Sequence, residues 1–396
     1  MMFAKLSEFA QSIFFILIKD QPFLPLLITP LVGGTAVWLT HRYFEGAQGS
    51  GIPQVIAATK LAKEQKDVSH LISLKLVFGK ILVVAYSLMG GFSIGREGPS
   101  VQVAASILQY FHRWLPNPRI VRASDLILAG GAAGIAAAFN TPLAGIIFAI
   151  EELGKRLESR TSAILISAIV FSGLVSIALM GNYQYFGRLA INHIDMRFIF
   201  YIPLAAVVCG ILGGAFSRIL LMPVMYPDFF VWKLRKNYPV RFAVFCGLFV
   251  AVIGVSTGGI TYGNGYGLTG HIINGGFDNS VEIFFTKYLA TLASYFSGIP
   301  GGIFAPSLAI GSSLGGFLYE VVGQGGGYLI PLMALCMAGF LAAVTQAPIT
   351  SAIIVMEMID GHEMLISLLA VAFIAKVISG RISPELYQRL SLGFLK

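Results

Sequence analysis

The stretch Gly95-Arg96-Glu97-Gly98-Pro99-Ser100-Val101-Gln102-Val103 has a counterpart in Gly302-Ile303-Phe304-Ala305-Pro306-Ser307-Leu308-Ala309-Ile310. The two prolines stand 207 positions apart. Further on, Ala136-Ala137-Ala138-Phe139-Asn140-Thr141-Pro142 matches Ala342-Ala343-Val344-Thr345-Gln346-Ala347-Pro348 at an offset of 206, and Glu151 falls opposite Glu357 at the same offset. Two matches at nearly one offset argue for a duplicated unit. The split falls near residue 190, giving an N-terminal repeat, 1–190, and a C-terminal repeat, 191–396.

Both repeats are too apolar for water. Of 396 residues, 56% are apolar and 12% charged, against about 25% charged in an average soluble domain. Residues Leu126 to Ile150, Thr161 to Gly187, Ile199 to Ser217, Phe242 to Phe277, Tyr288 to Tyr319 and Val321 to Met356 carry no charge at all. A helix crosses a hydrocarbon core of ~30 Å with ~20 apolar residues. These runs therefore predict a multi-pass, all-α integral membrane protein in a lipid bilayer. Many of the 45 glycines lie inside the apolar runs, where they let helices pack closely or break within the bilayer. The expected architecture is two inverted-topology repeats of tilted and broken helices, with a site at their interface.

The net charge of +8 sits largely in short polar breaks: Lys60, Lys63 and Lys66; Arg113, Arg119 and Arg122; Lys155, Arg156 and Arg160; Lys233, Arg235 and Lys236. Such clusters orient a membrane chain toward the cytoplasm and give no reason to expect nucleic acid. Cys209, Cys246 and Cys336 form no disulfide or metal spacing, and the six histidines form no i, i+4 pair. No cofactor or metal is expected. Residues 1–20 lack a clear cleavage site and predict an amphipathic helix on the cytoplasmic surface. No separate regulatory domain is expected at either end.

Three motifs share one form, glycines and a proline followed by an apolar run: Gly49-Ser50-Gly51-Ile52-Pro53, Gly95 to Pro99, and Gly301-Gly302-Ile303-Phe304-Ala305-Pro306. Proline is favoured in the first helical turn, so each reads as a loop feeding a helix N-terminus. Unpaired N–H groups and the helix dipole make such ends attractive to anions. Three of them converging would cradle an anion without a full positive charge, weakly enough for release. A carboxylate at Glu97, deep in apolar sequence, is costly and therefore a functional candidate.

These three motifs, in this order and with the repeat, resemble the signature of the CLC family of chloride channels and chloride/proton exchangers, from about Ser50 to Tyr387. The resemblance implies a CLC-like fold forming one transport domain, and a homodimer with one pathway per subunit. It implies a plasma-membrane location, the bacterial inner membrane. Ser50 matches the serine that faces the central anion, and Tyr387, in Ser383-Pro384-Glu385-Leu386-Tyr387, matches the phenol that coordinates it. Ile303 and Phe304 match residues that offer backbone N–H groups. The motif neighbours Gly51, Ile52, Arg96 and Gly98 complete the expected anion-binding set. Glu97 matches the gating glutamate that also handles protons from outside, and Glu152 the internal glutamate that delivers protons from the cytoplasm.

Chloride/proton antiport is thus the expected activity, with chloride and protons as the species moved. A passive voltage- or pH-gated chloride channel of the same fold is the alternative, and Glu152 argues against it. An intramembrane enzyme is disfavoured, because the chain has no metal-ligand cluster, no Gly-x-Ser-x-Gly elbow and no phosphate loop. Gln54-Val55-Ile56 after Pro53 lacks the acidic residues of some bacterial exchangers. Lys80, inside an apolar segment, reads either as a source of positive potential or as a snorkelling side chain. Glu151 receives no role.

Overall fold

Glycine and proline punctuate apolar sequence so often that few helices run long. A computed structural model describes residues 2–114, 121–154, 159–181, 196–273, 280–322 and 327–395. The expected repeat boundary near 190, His193, and the basic residues Arg119, Lys155 and Arg156 lie outside the described residues, as does the side chain of Arg160.

In the first half the helices are α1 (Met2–Lys19), α2 (Pro25–Tyr43), α3 (Ile52–Lys63), α4 (Leu74–Met89), α5 (Glu97–Phe111), α6 (Ala123–Phe139), α7 (Pro142–Phe148) and α8 (Ser159–Met180). In the second they are α9 (Tyr201–Met225), α10 (Phe230–Asn237), α11 (Pro239–Ser256), α12 (Tyr266–Ile273), α13 (Ser280–Ser297), α14 (Phe304–Val322), α15 (Leu329–Thr345), α16 (Pro348–Ile359), α17 (Leu365–Ile382) and α18 (Leu386–Ser391). Among the described residues, β-pairing is confined to two isolated bridges. Among the described residues, three helical stretches, Phe198–Met225, Pro239–Ser256 and His362–Ile382, are long and apolar enough to cross a bilayer on their own.

The duplication read from the two proline motifs extends to the helices. Helices α3 to α8 recur in order as α12 to α17. The ends correspond as well as the starts. Helix α6 stops at Asn140 and α15 at Gln346, each in the left-handed conformation, with φ of 58° and 60°. Pro142 and Pro348 then open the next helices. Buried residues of α6 and α15 form a large shared core with Phe304, Phe340 and Tyr387.

Residues 2–19 form the amphipathic helix expected from the sequence. Helix α1 buries Phe3, Ala4, Ser7, Ala10 and Phe14, and its outward Phe9, Phe15, Ile16 and Leu17 are exposed and apolar. Phe14 meets the Tyr262 ring edge-on at 4.9 Å. The exposed face also carries Lys5, Glu8, Ser12 and Lys19, so α1 packs on the bundle with its apolar face and presents a mixed polar and apolar face outward.

The pairing of Glu151 with Glu357 acquires a physical meaning. Glu151 accepts hydrogen bonds from the Ile349 and Thr350 N–H groups at the start of α16. Glu357 accepts from Leu143 and Ala144 N–H at the start of α7. Each repeat thus caps a helix of the other with a carboxylate, where the dipole favours negative charge.

Candidate functional site

The three glycine-proline loops hydrogen-bond to one another. Gly95 and Gly302 exchange two backbone bonds of 2.7 Å, and Gly301 N–H donates to Gly49 O at 3.0 Å. All three feed helix N-termini, as the motifs predict: α3 starts at Ile52, α5 at Glu97 and α14 at Phe304. The first N–H groups of each helix have no intrahelical acceptor, so three sets of free donors are brought together by their own loops.

Glycine is required at two points here. Gly51, with φ of 101°, turns the chain into α3. A Cβ on Gly98 would collide with Ser50 Oγ, so Gly98 lets the serine loop close on α5. Gln102 Nε2 donates to Gly46 O and Leu71 O, and Gln54 Nε2 to Gln48 O. These amides brace the loop where the sequence lacks carboxylates. Lys80 does not snorkel. It is fully buried, and its Nζ donates to Ala47 O and Gly49 O, both at 2.7 Å.

Two hydroxyls stand out in this cradle. Ser50 Oγ and Tyr387 Oη are both buried and both lack a hydrogen-bond partner among the described residues. A buried donor without an acceptor is costly, and an anion would satisfy both. The Tyr387 ring stacks on Phe304, with centroids 6.0 Å apart and planes 9° apart, while Phe139 and Phe148 pack on the other sides of Phe304. Ile303 and Phe304 are both buried. A cavity of about 230 Å³, lined by Ser50, Ile303, Tyr387, Arg235, Tyr295 and Gly298 among others, leads up to the hydroxyls.

Glu97 is fully buried at the first position of α5. Tyr266 Oη donates to its Oε1 at 2.8 Å, and its Oε2 is buried without a hydrogen-bond partner among the described residues. Arg96 turns elsewhere: its guanidinium donates to Ala4 O at 2.6 Å and pairs with Glu8 of α1 at 2.8 Å. The side chain of Arg96 therefore anchors α1 beside the gate candidate, and any role toward an anion falls to its charge and backbone.

Glu152 is 4% exposed and sits in a turn of π-helix, Ala149–Gly154. It is not a solvated helix end. Single π turns are frequent at functional sites because they re-aim a side chain. Gln388 Nε2 donates to Glu152 O at 3.2 Å, and Lys60 Nζ donates to Gln388 Oε1 at 3.1 Å. The backbone of Glu152 is thereby tied to α18, the helix that carries Tyr387.

Sequence reasoning missed two residues of this region. Tyr266 is signalled by Gly263-Asn264-Gly265-Tyr266, which echoes Gly49-Ser50-Gly51-Ile52 at an offset of 214 rather than 207. Arg235 was grouped with orienting loop charges, yet it lines the cavity before Ser50.

Comparison with known proteins gives the family and the fold. A family model described as voltage gated chloride channel matches residues 32–380. An H(+)/Cl(-) exchange transporter, ClcA, of Yersinia pestis is 30% identical over 391 residues, covering 90% of this chain and 76% of that protein. A slow cyanobacterial Cl-/H+ antiporter superposes with a TM-score of 0.84 at 22% identity, covering 99% of this chain and 92% of the other. A CLC-type fluoride/proton antiporter superposes with a TM-score of 0.76 at 25% identity, covering 98% and 94%. The all-α fold of two inverted repeats with broken helices is the fold of these structures.

Proposed function

Because the chain belongs to the voltage gated chloride channel family, we propose that it is a multi-pass membrane exchanger that moves chloride one way and protons the other. The observation that carries this reading is a pair of buried carboxylates, Glu97 and Glu152, in a chain that also buries the unpartnered hydroxyls of Ser50 and Tyr387. A passive channel needs the hydroxyls and the gate. It has no use for a second carboxylate kept from water at a cost.

Chloride enters through the cavity and is held by Ser50 Oγ, Tyr387 Oη and the N–H groups of Ile303 and Phe304. Gly51, Ile52 and Gly98 shape that cradle, and Arg96 adds positive potential. When ionised, Glu97 takes the place of an anion among the N–H groups of α5 and α14. When protonated, it loses that attraction and swings away, so chloride can pass. Glu152 passes protons from the cytoplasm toward Glu97. Both paths use Glu97, which couples them. We further infer a repeat boundary near residue 190, a homodimer with one pathway per subunit, and residence in a bacterial inner membrane. The names of the exchange transporters among its relatives support antiport.

The test is reconstitution in liposomes with a chloride gradient, no proton gradient and a pH probe. Wild type is expected to drive protons uphill. Glu97→Gln and Glu152→Gln are each expected to abolish the proton signal while chloride still moves. Chloride flux without any pH change in wild type would establish the channel alternative instead.

A further inference from the structure

We propose that Tyr266 is the latch of the gate: its hydroxyl holds the Glu97 carboxylate in the anion pathway, so that unlatching sets how readily chloride displaces it. The proposal rests on the gating role given to Glu97 above, and it assigns the residue that controls that gate.

Tyr266 is held too firmly for its contact with Glu97 to be incidental. It opens α12, and its N–H donates to Asn264 Oδ1 at 3.1 Å. The Asn264 N–H donates in turn to Gln11 Oε1 on α1 at 3.3 Å. Beneath the loop, the fully buried Lys287 donates from Nζ to Thr261 O at 2.8 Å and Gly263 O at 2.9 Å. Lys287 stands 207 positions after Lys80, the offset that relates Pro99 to Pro306. The second repeat therefore carries its own copy of the lysine-clamped Gly-x-Gly loop. In the first repeat this loop presents Ser50 and leads into α3. In the second it presents Tyr266, whose longer side chain reaches Glu97 Oε1 at 2.8 Å.

A phenol O–H donates to an ionised carboxylate about twice as strongly as to the carbonyl of the neutral acid. Tyr266 therefore stabilises the ionised, in-pathway form of Glu97 selectively. Chloride and this carboxylate compete for the same N–H groups, so a weaker latch gives tighter chloride binding. One charge-assisted hydrogen bond corresponds to about a ten-fold change in that competition.

The experiment measures chloride binding by calorimetry and chloride flux in liposomes for wild type, Tyr266→Phe, Tyr266→Leu, Glu97→Ala and Glu97→Ala/Tyr266→Phe. Tyr266→Phe is expected to bind chloride about ten-fold more tightly and to turn over faster, with Tyr266→Leu shifted the same way. On the Glu97→Ala background, Tyr266→Phe is expected to change nothing, because there is no carboxylate left to latch. Unchanged or weaker binding in Tyr266→Phe overturns the latch. So does an equal tightening by Tyr266→Phe with and without Glu97, which would show that the hydroxyl does not act through the carboxylate. A shift in Tyr266→Leu that Tyr266→Phe lacks also overturns it, since that marks a packing role for the ring. If Glu97→Ala, with Tyr266 intact, leaves chloride affinity and proton coupling as in wild type, the gate reading itself fails and the latch falls with it.

Discussion

Replacing Lys80 with methionine would keep most of the side-chain volume and remove two donors. The carbonyls of Ala47 and Gly49, each 2.7 Å from Nζ, would lose their partner in a site closed to water. In soluble proteins a hydrogen bond to a charged group contributes ~1.5–3 kcal/mol. Between membrane helices the measured mean is ~0.6 and the maximum ~1.7 kcal/mol, because the unfolded chain in lipid finds other partners. Lys80 is wholly buried, so the upper membrane figure applies, or about 3 kcal/mol for two bonds. Relief from holding a buried cation offsets part of this, leaving a net loss of about 2 kcal/mol. Thermal unfolding in detergent, followed by tryptophan fluorescence, is expected to move down by several degrees. Chloride affinity is expected to fall as well, since the freed loop carries Ser50 and a positive charge is gone. Lys287→Met provides the comparison. It should lose similar stability but shift chloride affinity the other way, because its loop carries Tyr266. If both variants unfold at the parental temperature, the lysines do not clamp these loops and the reasoning fails. The same holds for the functional argument if both variants weaken chloride binding equally.

Three more outcomes follow from the same geometry. Gly98→Ala places a Cβ against Ser50 Oγ and is expected to lower chloride affinity about ten-fold, corresponding to one lost bond to the anion; Gly267→Ala, facing open space, should leave it unchanged in the same titration. Glu151→Ala and Glu357→Ala each uncap a helix and are expected to cost about 1–2 kcal/mol in thermal unfolding, whereas a parental midpoint for both would show that the reciprocal caps contribute nothing. Arg235→Gln is expected to slow chloride entry from the cavity side several-fold at low ionic strength, and the difference should shrink when an impermeant salt shortens the screening length to ~3 Å at about 1 M; a deficit independent of salt would refute an electrostatic role.

What was legible in the sequence follows from where the physics is local. The starts of α3, α5 and α14 were readable because proline and glycine dictate backbone conformation at the residue itself. The membrane class was readable because charge is excluded over whole runs. The convergence of the three loops was expected only by resemblance, since bonds such as Gly301 N–H to Gly49 O join residues about 250 positions apart in the chain. Arg96 looked like part of the anion site from its place beside Glu97, but its guanidinium serves Ala4 and Glu8. Adjacent residues at a helix start face different ways, and only packing decides which neighbour each finds. Lys287 and Tyr266 escaped because the second Gly-x-Gly loop has no proline and is displaced by seven positions from the offset of the main repeat.

Under the mechanism proposed above, the duplication also explains why a carboxylate gate stands at one place only. Glu97 and Phe304 occupy the same position in the two repeats, each the first residue of its helix and 207 positions apart. Both helices offer free N–H groups there. Two carboxylates in that cradle would repel each other in a low dielectric and would fill the space an anion needs. Phenylalanine at 304 removes that competitor and stacks on Tyr387, which fixes the phenol proposed to face the anion. The flanking loops diverge in step. In the proposed mechanism the Ser50 loop serves a mobile anion, for which a short neutral hydroxyl suffices. The Tyr266 loop serves a tethered one, and it must reach the carboxylate of Glu97 across the pathway. Placing one tethered anion and one mobile anion on a symmetric frame makes them compete, and that competition is what an exchanger requires.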